Sequence, residues 1–311
     1  MKRLFCCVLG AVFIPQVVAN QDDSFTFSGQ ASAGYMYNSA LTVEEIDAVN
    51  TQGDNGTKIE GTLGAIWKPT DKFKLASGVG YSQEQYHEFE QFDLSLQRFY
   101  MDSSYKLTDQ EIGLRYDKVN ALLQNDKFLS FQQLSLYHGQ FLTSTTYFRT
   151  SGNLKEKSFP TLSERDADNY GVAADLFYFA DGTNLMLTAG IGAEKEQATD
   201  EQFDFVGLSI KSKISQKFSF MGLDNKIGLG WKYKKKDYQQ VLVSQESELG
   251  STQEIVERDQ YRSVVTADWQ LNVTDYILVK TQVEYGDYHG KLSQQTYQQS
   301  MFNVSFGAKF N

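Results

Sequence analysis

The feature that most constrains this chain is a two-residue alternation of apolar and polar side chains that recurs along nearly its whole length. In the C-terminal segment MFNVSFGAKFN, Phe302, Val304, Phe306, Ala308 and Phe310 fall on one face, against Asn303, Ser305, Gly307 and Lys309 on the other. Successive side chains of a β-strand point to opposite faces, so this is a strand with one oily and one wet side. The pattern repeats at Ile277, Val279, Thr281, Val283 and Tyr285, at Val265, Ala267, Trp269 and Leu271, at Ile227, Leu229, Trp231 and Tyr233, and at Leu185, Leu187, Ala189 and Ile191. Continued to the N-terminus, it predicts about fourteen strands, near 26–38, 57–69, 72–84, 93–107, 110–118, 128–138, 143–151, 168–179, 184–196, 203–215, 225–237, 259–271, 275–287 and 299–310.

Loop lengths separate a membrane barrel from a soluble sandwich, which also alternates. Short connections at 69–72, 108–110, 180–184 and 272–275 interleave with long polar ones near 39–56, 152–167 and 238–258. Short turns at one end and long loops at the other, with an even strand number, are expected of an antiparallel transmembrane barrel of the bacterial outer membrane. Mean hydropathy is −0.43, as expected where only every second residue faces lipid. Trp67, Tyr81, Tyr105, Tyr178, Trp231, Tyr233, Trp269, Tyr276 and Tyr285 lie toward strand ends and suit aromatic girdles. Between Leu94, Leu96 and Phe99, Met101 the apolar parity switches, which suggests either a bulge or a strand boundary that lies elsewhere.

The first residues, Lys2 and Arg3 followed by LFCCVLGAVFI and Val17, Val18, Ala19, read as a signal peptide over 1–19, leaving 20–311 as the barrel. Cys6 and Cys7 both lie in that leader, so neither disulfide nor thiolate chemistry is expected afterwards. Export places the chain in the outer membrane of a Gram-negative bacterium. Its expected partners are outer-membrane lipid and lipopolysaccharide and the barrel-assembly machinery, with no nucleic acid and no cofactor.

The formal net charge is −10, and its distribution carries the functional reading. The long loops are acidic, with Glu44, Glu45, Asp47 and Asp54 in the first and Glu246, Glu248, Glu254 and Glu257 in the longest. These suit loop solubility or divalent-ion bridging to anionic lipid head groups. By strand parity the inward-facing charges of the C-terminal half are mostly basic: Lys211, Lys213, Lys226, Lys232, Lys234, Arg262, Lys280 and Lys309, against Glu194, Asp268 and Glu284. They either pair across strands or line water. Lys226, Lys232, Lys234, Arg262, Lys280 and Lys309 are the candidate selectivity residues of an anion-preferring, porin-like lumen.

Catalytic signals are sparse. Asp287 with His289, and Asp166 with Asp168, form two-apart pairs near rims and resemble the charged pairs of omptin proteases. His87 and His138 have no motif around them, and no metal-ligand spacing is present.

The segment SGQASAGYMYNSAL, with Gly34, Tyr35 and Asn38, resembles the opening strand of the C-terminal barrel of surface lipoprotein assembly modifiers. Tyr233, Tyr238, Arg258, Asp259, Tyr285 and the Phe-rich last strand follow that family's order. The resemblance implies a fourteen-stranded barrel and a role in export. It departs from the family at the front, where no helical repeat domain is visible between Asn20 and Ser24; a barrel without that domain is either a half that works with a separate periplasmic partner protein, a passive channel or a structural protein. Three readings follow: a non-enzymatic export or assembly barrel, a passive anion-preferring channel, and an omptin-like rim protease.

Overall fold

The computed structural model describes residues 24–239, 241–247, 250–256, 258–291 and 295–310, with 241–256 described by their backbone alone. The leader, and the side chains of Glu246, Glu248, Glu254 and Glu257, lie outside the described residues.

Fourteen antiparallel strands close into one barrel. In chain order the strands are β1 (Phe25–Asn38), β2 (Leu41–Val43), β3 (Ala48–Asn50), β4 (Asp54–Trp67), β5 (Phe73–Tyr86), β6 (Leu94–Lys106), β7 (Gln110–Leu123), β8 (Asp126–Phe141) and β9 (Thr146–Ser158). They continue with β10 (Ala167–Ala180), β11 (Leu185–Ala198), β12 (Phe205–Phe220), β13 (Leu223–Tyr238), β14 (Val241–Ser247), β15 (Gly250–Val256), β16 (Gln260–Asn272), β17 (Ile277–Gly290) and β18 (Tyr297–Phe310). Each wall strand pairs with its sequence neighbour, and β1 pairs with β18 to close the ring, from Gly29 opposite Phe310 to Asn38 opposite Met301. The two small hairpins, β2–β3 and β14–β15, are separate sheets that take no part in the wall and belong to the loops after β1 and β13.

The alternation maps onto two environments. Leu63, Val79, Leu136, Val172, Ile191, Leu208, Leu229 and Phe306 are large apolar residues turned outward and exposed. In a soluble protein so wide an apolar surface would drive aggregation; around a closed barrel it is the band that meets lipid. Trp67, Tyr105, Tyr178, Trp269 and Tyr276 lie toward the short-turn end, and Tyr81, Trp231, Tyr233 and Tyr285 toward the other, as girdles require.

Several boundaries differ from the sequence reading. β9 runs on to Ser158, so the loop expected from 152 starts at 159, and the long loop after β13 contains the β14–β15 hairpin. The bulge expected in β6 is absent: register is continuous on both sides of Leu94, Leu96, Phe99 and Met101. Leu94 and Leu96 are simply apolar residues facing inward, packed with Ile46 and Phe131 around Ala121, Leu129 and Phe159. The register shift falls instead at Ala121/Leu122. Beside it, Gln124 and Asn125, both at positive φ (52° and 71°), make a tight two-residue turn at the end otherwise occupied by long loops.

The long-loop end is tied by a repeated device. The tetrapeptide Glu-Gln-Phe-Asp occurs at 90–93 and 201–204, each time as a short 3-10 turn followed by an aspartate that opens a strand. That aspartate accepts the backbone N–H of a residue ending the preceding strand: Asp93 from Tyr86 at 2.8 Å and Asp204 from Ala198 at 2.6 Å. Asp259 does the same for Tyr238 at 2.9 Å. A carboxylate in this place satisfies a donor that the strand ladder leaves over.

Two outcomes are expected. Leu229→Arg, in the outward band, should destabilise the barrel by about 2–4 kcal/mol in urea unfolding with lipid present, while Gln282→Arg on the inner face should cost much less. A cysteine replacing Glu201 at the long-loop end should react with an impermeant maleimide on intact cells, and one replacing Asp71 at the opposite end should not.

Candidate functional site: a charged lumen under an inward-folded loop

The inner wall is a lattice of ion pairs. Asp175 lies 3.2 Å from Arg149 and 2.8 Å from Lys211. Asp117 accepts from Arg98 at 2.5 Å and Arg115 at 2.6 Å, and Arg115 also reaches Asp102 at 3.3 Å. Glu194 holds Lys155 at 2.5 Å and Lys234 at 2.6 Å, and Lys213 meets Asp268 at 2.6 Å. Several of these pairs span three strands, which requires a gap in the middle one. Gly190 sits between Asp175 and Lys211 in the register, and a Cβ there would lie 2.3 Å from the Asp175 carboxylate. Gly113 likewise leaves room for the Tyr137 ring to cross β7 and donate its hydroxyl to Asp102 at 2.8 Å.

The six basic residues singled out by parity all fall on the inner side of their strands, in different surroundings. Lys234 is neutralised by Glu194, and Arg262 is paired with Glu44. Lys309 donates to Asn272 at 2.9 Å near the short-turn end. Lys226, Lys232 and Lys280 belong to none of the described ion pairs. Lys226 and Lys280 both pair in register with Gln270, so they stand in one row across β13, β16 and β17. Interior carboxylates are more numerous than Glu194, Asp268 and Glu284 alone, because Glu60, Asp102 and Asp117 come from the N-terminal half and Asp175 from β10. At mid-height a cavity of about 1030 Å³ remains. Six basic side chains (Arg98, Arg115, Arg149, Lys155, Lys211 and Lys280) and those four acidic ones line it, leaving a positive excess.

The acidic loop after β1 was expected to be a solvated outer loop. Instead it folds into the mouth. Ala40, Leu41 and Val43 are buried, and Met36, Leu41 and Tyr86 form a small apolar cluster at its root. Its tip crosses to β9, five strands from β4 around the wall, where Glu45 meets Lys157 at 2.9 Å. Glu44 reaches Arg262 on β16. Asp47, in the left-handed conformation (φ 54°), accepts from Arg165 at 2.8 Å and Arg258 at 2.5 Å, and more loosely from Gln260 and Gln295. Arg258 and Asp259, noted in the sequence for their order alone, thus anchor the loop and close a strand end.

Burial pushes the Glu45 carboxyl up, but the ammonium groups of Lys157, Lys236 and Lys234 outweigh it and hold the group at about 2. A glutamate released from the site titrates at its ordinary 4.5. The docked loop therefore gains from this charge above pH 4.5 and loses the gain as pH falls towards 2.

The rim pairs do not converge. His289 Nε2 is 3.0 Å from Asp287, with its ring stacked on Tyr261. Asp166 accepts the Phe159 N–H as a strand-end cap, and Asp168 points outward on β10, five strands from β17.

No protein-family model and no curated protein sequence matches the chain. Solved structures do. A loop-deletion form of OmpT, an outer membrane protein of Vibrio cholerae, superposes with a TM-score of 0.53 at 9% identity, covering 92% of this chain and 99% of that one. An anion-selective porin from Comamonas acidovorans gives 0.51 at 8% identity, covering 92% and 99%. CdiB from Acinetobacter baumannii gives 0.51 at 9%, covering 91% of this chain and 60% of that one. This is a bacterial outer-membrane β-barrel. At such identities the likeness is one of fold.

Acid should loosen the plug. With a fluorophore on Gln52→Cys, emission should be constant above pH 4.5 and change as pH falls towards 2; an unchanged signal throughout would mean that the loop is held by something other than the Glu45 carboxylate.

Proposed function

We propose that the barrel is a non-enzymatic conduit across the outer membrane that favours anions and is held nearly closed by the loop at 39–53. The observation carrying this is the mid-lumen cavity with its excess of basic groups, continued by Lys226 in one row with the cavity's Lys280. A potential of one sign inside a narrow low-dielectric wall concentrates counter-ions of the other sign. Fourteen strands lie between eight-stranded barrels, filled by side chains, and sixteen-stranded ones with an open aqueous path, so a small residual lumen suits the size.

A second reading, export or assembly of a protein client with a periplasmic partner, rests on the resemblance to surface lipoprotein assembly modifiers. One structural feature favours it. At the β1–β18 seam the described pairing runs over ten residues, Gly29–Asn38, against twelve or more between every other pair of neighbouring wall strands.

Reconstituted protein in a salt gradient should give a reversal potential of anion preference, and Lys226→Glu with Lys280→Glu should weaken or reverse it. Cation preference in the native barrel would overturn the reading. Locking the seam with a disulfide between Ala31→Cys and Ala308→Cys should leave conductance unchanged if passage is axial; loss of conductance on locking would favour the seam.

A further inference from the structure

The geometry points to a binding site for an oligoanion at the long-loop mouth, which the loop at 39–53 fills with its own carboxylates as an internal stand-in. The ligand class is a compact molecule carrying several carboxylate or phosphate groups.

Six basic side chains converge there from four segments: Lys157 on β9, Arg165 in the loop before β10, Lys234 and Lys236 on β13, and Arg258 and Arg262 at the start of β16. Among the described wall residues only Glu194 and Glu196 pair with them, through Lys234 and Lys157. Counted over the described ion pairs, the cluster without the loop has four surplus positive charges; Glu44, Glu45 and Asp47 reduce the surplus to one. Like charges brought together on one wall repel, and a fold that merely needed stability would set carboxylates among them on neighbouring strands, as it does around Asp175 and Asp117.

The cluster is also built without the loop's help. The guanidinium groups of Arg165 and Arg258 lie over the Phe203 ring at 4.2 and 4.8 Å, and the Lys236 ammonium lies over Phe205 at 4.7 Å. Aromatic faces hold cations in place while leaving their hydrogen-bonding edges free for an anion. Moreover, the loop satisfies those edges incompletely. Arg258 Nε and Arg262 Nε are buried with no hydrogen-bond partner among the described residues. A ligand richer in acceptor oxygens than three carboxylates would supply the missing ones. Exchange of the loop's carboxylates for the ligand's, pair for pair, keeps the charge count while freeing the mouth.

Calorimetric titration of the refolded full barrel in detergent, with tripolyphosphate and with tri-galacturonate as probes, tests this. The native protein should bind at least one probe, and the comparison of the two separates phosphate from carboxylate sources. E44Q/E45Q/D47N, which removes the internal competitor and keeps a residue tolerant of positive φ at 47, should bind roughly tenfold more tightly. R258E/R262E should abolish binding. Equal affinity of the native and loop-neutralised proteins, or binding that survives R258E/R262E, overturns the proposal. Should a variant fail to fold, the native sequence with a fluorophore on Gln52→Cys decides. Tripolyphosphate must change its emission at concentrations where sodium chloride of equal ionic strength does not; identical responses mean screening alone and overturn it. The titration reads binding whether or not the barrel conducts, so a barrel that binds the probe and passes no current refutes the channel reading only.

Discussion

Everything in this molecule depends on the pairing of β1 with β18. In hydrocarbon an unpaired backbone N–H or C=O costs several kcal/mol, so a sheet can cross a bilayer only when its first and last strands satisfy each other. Closure removes both edges and at the same time divides every strand into a lipid side and a lumen side. The outward row of Leu63, Leu136, Ile191, Leu229 and Phe306 and the inward row of arginines, lysines and carboxylates follow from that division.

The lumen then has to house its charges. Each is flanked in register by residues of neighbouring strands, and the favourable partner often lies two strands away. Glycine in the strand between makes the contact possible, as Gly190 does for Asp175 and Lys211. The resulting lattice fixes long side chains against a wall and leaves a cavity of limited size at mid-height. At the mouth the same demand is met differently, by carboxylates carried in from a loop. The wall thus has two ways of neutralising cations, one built into the strands and one carried in by the loop at 39–53.

Strand number, strand facing and the two ends of the barrel were legible in the sequence because period-two alternation and loop length are local properties. The inward placement of Lys226, Lys232, Lys234, Arg262, Lys280 and Lys309 followed from parity within each strand. Their pairing did not. Lys234 and Glu194, or Lys213 and Asp268, belong to strands whose lateral register is set by hydrogen bonds between segments far apart in the chain. Leu94 and Leu96 misled for a related reason: an apolar residue facing the lumen looks like a slipped register until the loop residue Ile46 is seen packed with it. The repeated Glu-Gln-Phe-Asp at 90–93 and 201–204 is a signal that was present in the sequence and points to strand-opening caps.

The sequence by itself determined that this chain is a transmembrane barrel whose C-terminal strands turn mostly basic charges inward, since alternation and loop parity act residue by residue. Only the tertiary structure decided that the acidic loop at 39–53 belongs to the lumen. Its charges look like those of any solvated loop, and what draws them inward is a cluster of cations from β9, β13, β16 and the loop before β10. Those residues become neighbours only after the sheet has closed, and the field they make together exists in no single segment of the chain.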